Sequence, residues 1–137
     1  MIKTVFIIKT KQEDLDGNVL NEERVIIAED SGMAQHYLIE NGICKSESIK
    51  GIKAVEQCHC FIEEQITSKP IYLVSITEDV EQSEKFVKSK IYVPAYSVLE
   101  AVSIAESDKP VFLSEKNGKV VEVTAVTKTK ILEIIEI

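Results

Sequence analysis

Apolar residues along the chain fall in short runs separated by polar segments that carry turn-forming residues. Val5-Phe-Ile-Ile8, Val25-Ile-Ile-Ala28, Ile71-Tyr-Leu-Val74 and Ile91-Tyr-Val93 are rich in β-branched and aromatic side chains, and each has the length of a strand. The first two are joined by the polar stretch Lys11 to Asn21, where Asp16-Gly17 tolerates positive φ. Residues 2–10 and Glu23 to Ala28 are therefore predicted to form a hairpin. Residues 71–77, a polar connection from Glu78 to Lys85 and a return strand from Phe86 to Ala95 repeat the pattern. Pro94 cannot donate to a ladder, so it marks a strand end or an edge.

Each return strand leads into a helix signature. Asp30 or Ser31 caps the first helix, whose Met33, Ala34, Tyr37 and Leu38 fall on one face before Asn41-Gly42 supplies a left-handed stop. Ser97-Val-Leu-Glu100 fits a capping box at the second, with Leu99, Val102 and Ala105 or Ile104 as the expected buried stripe. Beyond the helices, Ile52 to Ile62 reads as one long strand. Val111 to Ser114, the turn Asn117-Gly118 and Val120 to Ile131 read as another hairpin.

A shift of about 66 positions lays the first half on the second, in the manner of an internal repeat. Val5-Phe-Ile-Ile falls on Ile71-Tyr-Leu-Val, Val25-Ile-Ile-Ala on Ile91-Tyr-Val-Pro, Glu40 on Glu106, and Lys53-Ala-Val-Glu56 on Lys119-Val-Val-Glu122, without a gap. The expected fold is α+β: an internal duplication of a ββαβ unit, residues 1–66 and 67–137, with two helices packed on antiparallel sheet in a pseudo-twofold arrangement. The opening strands are apolar on both alternating faces, Phe6 and Ile8 against Val5 and Ile7, and Tyr72 and Val74 against Ile71 and Leu73. Helices on one side cover one face only, so the other must meet the sheet of the other half or a second chain, which makes a homodimer an open possibility.

Composition narrows the class. With 137 residues and 45% hydrophobic content the chain has enough material for a core. Its apolar runs are far too short to span a bilayer and it lacks the features of a signal peptide, so no membrane partner is expected and the cytoplasm is the expected compartment. Cys44, Cys58 and Cys60 are expected as free thiols. A net charge of -7 disfavours a phosphate backbone as partner.

Candidate chemistry is sparse. Cys58-His59-Cys60 attracts attention as a metal motif, but on a strand the two thiols point to one face and the imidazole to the other, so no metal or cofactor is expected there. Asp14-Leu-Asp16-Gly-Asn18 opens like a calcium loop, yet Val19 and Val25 occupy the positions that need glycine and glutamate. No nucleophile with a neighbouring base, paired acids or phosphate-binding loop is visible, and no catalytic residue is assigned. Phe86, Lys88, Lys90 and Tyr92 alternate onto one strand face, and Lys128 and Lys130 share a face of the last strand. Were those faces to coincide, four lysines and two aromatics would make a platform for single-stranded nucleic acid. Lysines that guard an edge strand are the structural alternative.

The segment Lys90-Ile-Tyr-Val-Pro-Ala-Tyr-Ser-Val-Leu-Glu-Ala-Val, followed by a β stretch ending Thr127-Lys-Thr-Lys-Ile-Leu-Glu-Ile, resembles an uncharacterised domain family of Bacteroidetes and their phages. The resemblance covers the second half and implies a phage or mobile-element origin without supplying a catalytic residue. The expected function is a non-enzymatic protein-interaction or accessory role, such as inhibition of a host protein through an acidic surface that occupies a basic groove. The alternative is the nucleic-acid binder.

Overall fold

The structure is a computed structural model that describes residues 3–56, 58–61, 69–79, 87–107 and 119–137. Among these residues the elements in chain order are β1 (Thr4–Glu13), β2 (Val19–Ala28), α1 (Ser31–Glu40), a 3-10 turn at Ser46–Ser48, β3 (Ile49–Val55), β4 (Cys58–Cys60), β5 (Ile71–Asp79), β6 (Val87–Pro94), α2 (Val98–Glu106), β7 (Lys119–Lys128) and β8 (Ile131–Glu136). The fold is α+β. No helix among the described residues is long and apolar enough to cross a membrane.

Local chemistry explains the first hairpin and both helix starts. At the β1–β2 turn the Asp14 carboxylate accepts from Asp16 N at 2.9 Å and Asn18 N at 2.8 Å, and Gly17 takes a φ of 81°. The backbone hydrogen bond from Asn18, with help from its side chain and from Asp16, holds the Asp14 carboxyl below the ordinary aspartate value against the opposing effect of desolvation. Asp30 Oδ1 accepts from Met33 N at 2.8 Å and caps α1, which ends before Gly42 at a φ of 68°. Ser97 Oγ accepts from Glu100 N at 3.1 Å, while the Glu100 carboxylate reaches back to Tyr96 N, one residue beyond the position an ideal capping box uses.

The described residues build two four-stranded sheets, in the orders β3-β1-β2-β8 and β4-β6-β5-β7. They divide into two compact units, Met1–Glu56 with Lys130–Ile137, and Gln57–Thr129. The sequence places a boundary between residues 66 and 67, but each unit takes its fourth strand from beyond it. The sheets are mixed, where antiparallel ones were expected: β8 lies parallel to β2, and β4 parallel to β6. A parallel neighbour must arrive by a long excursion of the chain, which no local pattern records.

This routing corrects two strand assignments. The single strand expected over residues 52–62 ends at Val55, and Cys58–Cys60 pairs instead with Lys90–Tyr92 in the second sheet. The last strand breaks at Thr129, whose N and Oγ1 both donate to Ile71 O, at 3.0 and 2.6 Å, before β8 joins the first sheet. The expected hairpin partner at residues 111–114 and its turn at 117–118 lie outside the described residues. Lys53–Glu56 and Lys119–Glu122 do not occupy matching places, because Ala54 stands opposite Phe6 whereas Lys128 stands opposite Tyr72. A longer connection after α2, a β7 that starts further along its neighbour than β3 does, and an additional register shift together make up the slip.

In each unit the helix covers one sheet face. Phe6, Ile8, Ile26 and Ala28 meet Ala34, Leu38 and Cys44 in the first, and Tyr72, Val74, Ile76, Ile91, Val93 and Ala95 meet Ala101 and Ala105 in the second. The stripe expected on α2 is met in part: Ala105 is buried and Ile104 packs against the core, but Leu99 is 83% exposed and Ala101, one turn before Ala105, faces the sheet instead. The two alanines repeat at four residues and bring the helix backbone close to the sheet. On α1, Ala34 and Leu38 of the expected face are buried and Met33 is exposed. Val5, Val25 and Ile27 on the reverse face of the first sheet are also buried.

Replacing Ile91 by Ala is expected to lower unfolding stability by about 2–5 kcal/mol, because the fully buried side chain leaves a cavity. Leu99→Ala should stay within about 0.5 kcal/mol of the native chain. Denaturant titration of both variants measures the contrast, and a large loss at Leu99 would restore the stripe read from the sequence.

Candidate functional site

The strongest polar constellation is buried inside the second unit. Along β5, Tyr72, Val74, Ile76 and Glu78 alternate onto the face beneath α2, and Ser89 of β6 stands opposite Ile76 on that face. His59 joins them because β4 sets it beside Ile91. His59 and Glu78 are each 2% exposed and Ser89 is 4% exposed.

The Glu78 carboxylate is the centre of the group. His59 Nε2 lies 3.1 Å from each of its oxygens, and Ser89 Oγ donates to Oε2 at 2.6 Å. Burial pushes the Glu78 carboxyl up, but the hydrogen bonds from His59 and Ser89 and the charge of a protonated His59 together outweigh it and hold the group below its ordinary value. A carboxylate so stabilised is a weak base, and it stands between the serine and the imidazole. The arrangement keeps an anion in a dry place.

What the network does is join strands. β4 has three residues, and its backbone pairing is correspondingly small. The His59 side chain extends its hold past β6 to a carboxylate on β5, two strands away in the order β4-β6-β5. In the first unit, the strand that pairs in parallel, β8, is held by a related device. Arg24 Nε of β2 donates to Glu133 Oε1 of β8 at 3.0 Å, and Arg24 Nη2 lies 3.3 Å from Glu22 Oε2. Lys3 Nζ to Glu136 Oε1 at 3.2 Å and Ile137 N to Ile27 O at 3.0 Å add to it.

The residues singled out in the sequence are distributed differently from the expected platform. Lys88 and Lys90 are exposed and stand opposite Thr77 and Ser75, on the face away from α2. Lys128 stands opposite Tyr72 and so belongs to the other face, while Lys130 falls between strands in the first unit. Tyr92 is buried and offers no ring for stacking. Phe86 lies outside the described residues. Cys58 and Cys60 share a face opposite Lys90 and Tyr92, and His59 takes the other, as strand alternation requires. All three cysteines are free and buried, and burial raises the Cys44 thiol despite the nearby Arg24 charge. Among the described residues no group of three or more His, Cys, Asp or Glu side chains is placed to hold a metal ion. His36 is exposed on α1 and lies 2.9 Å from Glu40.

Sequence reasoning missed Glu78 by assigning it to a hairpin connection. The usable signal was alternation: Tyr72, Val74 and Ile76 place position 78 on the buried face, and a buried histidine needs an acceptor. Comparison of the chain with protein-family models, with curated proteins and with solved structures found no match.

Glu78→Gln is expected to cost about 1–3 kcal/mol, since a neutral amide has one acceptor oxygen where the carboxylate has two and leaves a buried polar group poorly matched between His59 and Ser89. Because the Glu78 pKa is lowered in the folded state, its contribution is complete above the ordinary glutamate range and is lost as pH falls through the folded value. Unfolding curves across acid pH should therefore fall less steeply for Glu78→Gln than for the native chain; equal slopes would remove Glu78 from the acid response.

Proposed function

We propose that the chain is a non-enzymatic protein-interaction module built by duplication of one ββαβ unit, with its repeats related by a pseudo-twofold. The duplication is supported by strand order: β3-β1-β2-β8 and β7-β5-β6-β4 read alike, each with its parallel pair at the end. A register shift falls between Lys9 and Thr10 in one ladder and between Ser75 and Ile76 in the other, positions that correspond under the shift of about 66 residues, while a second shift between Thr77 and Glu78 belongs to the later ladder alone. Bulges are retained features of a fold, so their coincidence supports common descent of the halves.

The observation that carries the interaction reading is the apolar surface at the start of α2. Tyr96, Val98 and Leu99 are exposed within four residues. Lys69 Nζ sits 4.9 Å from the Tyr96 ring centroid and 3.4 Å from Glu100 Oε1, so charged groups frame the patch. Clustered large apolar side chains in water are the usual mark of a protein contact. The surplus of acidic residues favours a partner with a basic rim, and the same surplus opposes nucleic acid. The buried His59–Glu78–Ser89 group supports the non-enzymatic part of the reading, since a substrate has no access to side chains this far from solvent.

Leu99→Asp is expected to leave the melting temperature within about 2 °C of the native value while abolishing capture of a specific protein from a lysate of the source cells. Immobilised native and variant chains, compared by mass spectrometry of what each retains, make the test. Identical captures, or turnover of a substrate by the purified chain, would contradict the proposal.

A further inference from the structure

The first unit is incomplete without residues that follow the second. β1, β2 and β3 come from the start of the chain, and the outer side of β2 is filled by β8 running parallel to it. The fit is specific. Ile134 stands opposite Val25 and Ile135 opposite Ile26, Ile135 and Ile137 pack on the core beneath α1, and Arg24 takes Glu133. Yet β8 is an edge strand in which Ile131 alone is buried, and in both ion pairs that tie it the β8 carboxylate is open to water, Glu136 38% and Glu133 47% exposed, which weakens the hold. Its link to β7 is Thr129 and Lys130. A specific slot filled by a loosely held edge strand on a short link has the makings of exchange between identical chains.

We propose that the slot beside β2 is a strand-binding site that accepts β8 of a second copy of this chain, giving a reciprocally exchanged homodimer. Nothing in this depends on the patch at α2. The contacts in the dimer are those already made within one chain, so the recognition chemistry is unchanged: a parallel strand presenting Glu133 to Arg24 and Ile134-Ile135 to Val25-Ile26.

The Arg24–Glu133 pair provides the test. Arg24→Glu places a third carboxylate beside Glu22 and Glu133, and Glu133→Arg places two guanidinium groups together, so each variant repels its own β8. When the two variants are mixed, an exchanged heterodimer restores an opposite-charge pair in both slots, because each chain lends the strand that the other needs. Light scattering of the equimolar mixture after gentle warming and cooling is expected to show a dimer fraction on the order of tenfold above either variant alone. The double variant Arg24→Glu with Glu133→Arg regains its pair both within one chain and across an exchanged dimer, so its monomer–dimer distribution should match that of the native chain. Should a single variant fail to fold alone, the expected result is recovery of its circular-dichroism spectrum on mixing. A mixture that stays monomeric, that is not rescued, or that dimerises no more than the single variants overturns the proposal.

Discussion

A strand that joins a sheet from a distant part of the chain gains its place against the entropy of a long closed loop, and three residues of backbone pairing offset little of that. The second unit meets this constraint with the contact between His59 and Glu78. Everything else in the second sheet is ordinary: a hairpin of β5 and β6, an antiparallel β7, and a helix that seats two alanines on the apolar face. β4 is the exception, and it carries a side chain that reaches across β6 to a carboxylate already held by Ser89. Removing a carboxylate and an imidazole from water is expensive, and such buried polar pairs are poor stabilisers against apolar replacements of the same shape. Their value here is in selection, since an imidazole at position 59 can settle beside Glu78 in only one register of β4.

The two units solve the same problem with different electrostatics. In the second, the pair is dry and fully enclosed. In the first, Glu133 is about half exposed on a longer strand whose isoleucines do most of the anchoring. The consequence is an asymmetry of stability: β4 is locked by a few strong interactions, and β8 rests on many weak ones. Acidic side chains outside both clasps, such as Glu13, Asp14 and Asp16 around the β1–β2 turn and Glu40 and Glu106 on the helices, shape encounters with other molecules and contribute little to the fold.

The hairpin of β1 and β2 was legible because its turn chemistry is local: Asp14, Asp16 and Gly17 specify it within five residues. Asp30, Gly42 and Ser97 fixed the helices for the same reason. The path of the chain after each helix was not legible. Nothing in Cys58-His59-Cys60 distinguishes a continuation of β3 from a new strand in another sheet, because parallel pairing with residues 90–92 depends on sequence far away. Ala105 and Ile104 on the buried side of α2 were legible, but Leu99 was placed there instead of Ala101, because hydrophobicity favours leucine while close approach of helix to sheet favours the smaller residue. The polar network was half visible, His59 as a histidine without an assigned role and Glu78 hidden by its neighbours in a charged run.

The account rests on the claim that β4 and β8 each belong to the sheet formed largely by the other half of the chain. Nuclear Overhauser contacts in solution test it most directly. The account requires backbone contacts between His59 and Ile91 and between Ile135 and Ile26. Contacts placing residues 58–60 alongside β1, as an unbroken extension of β3, would contradict it.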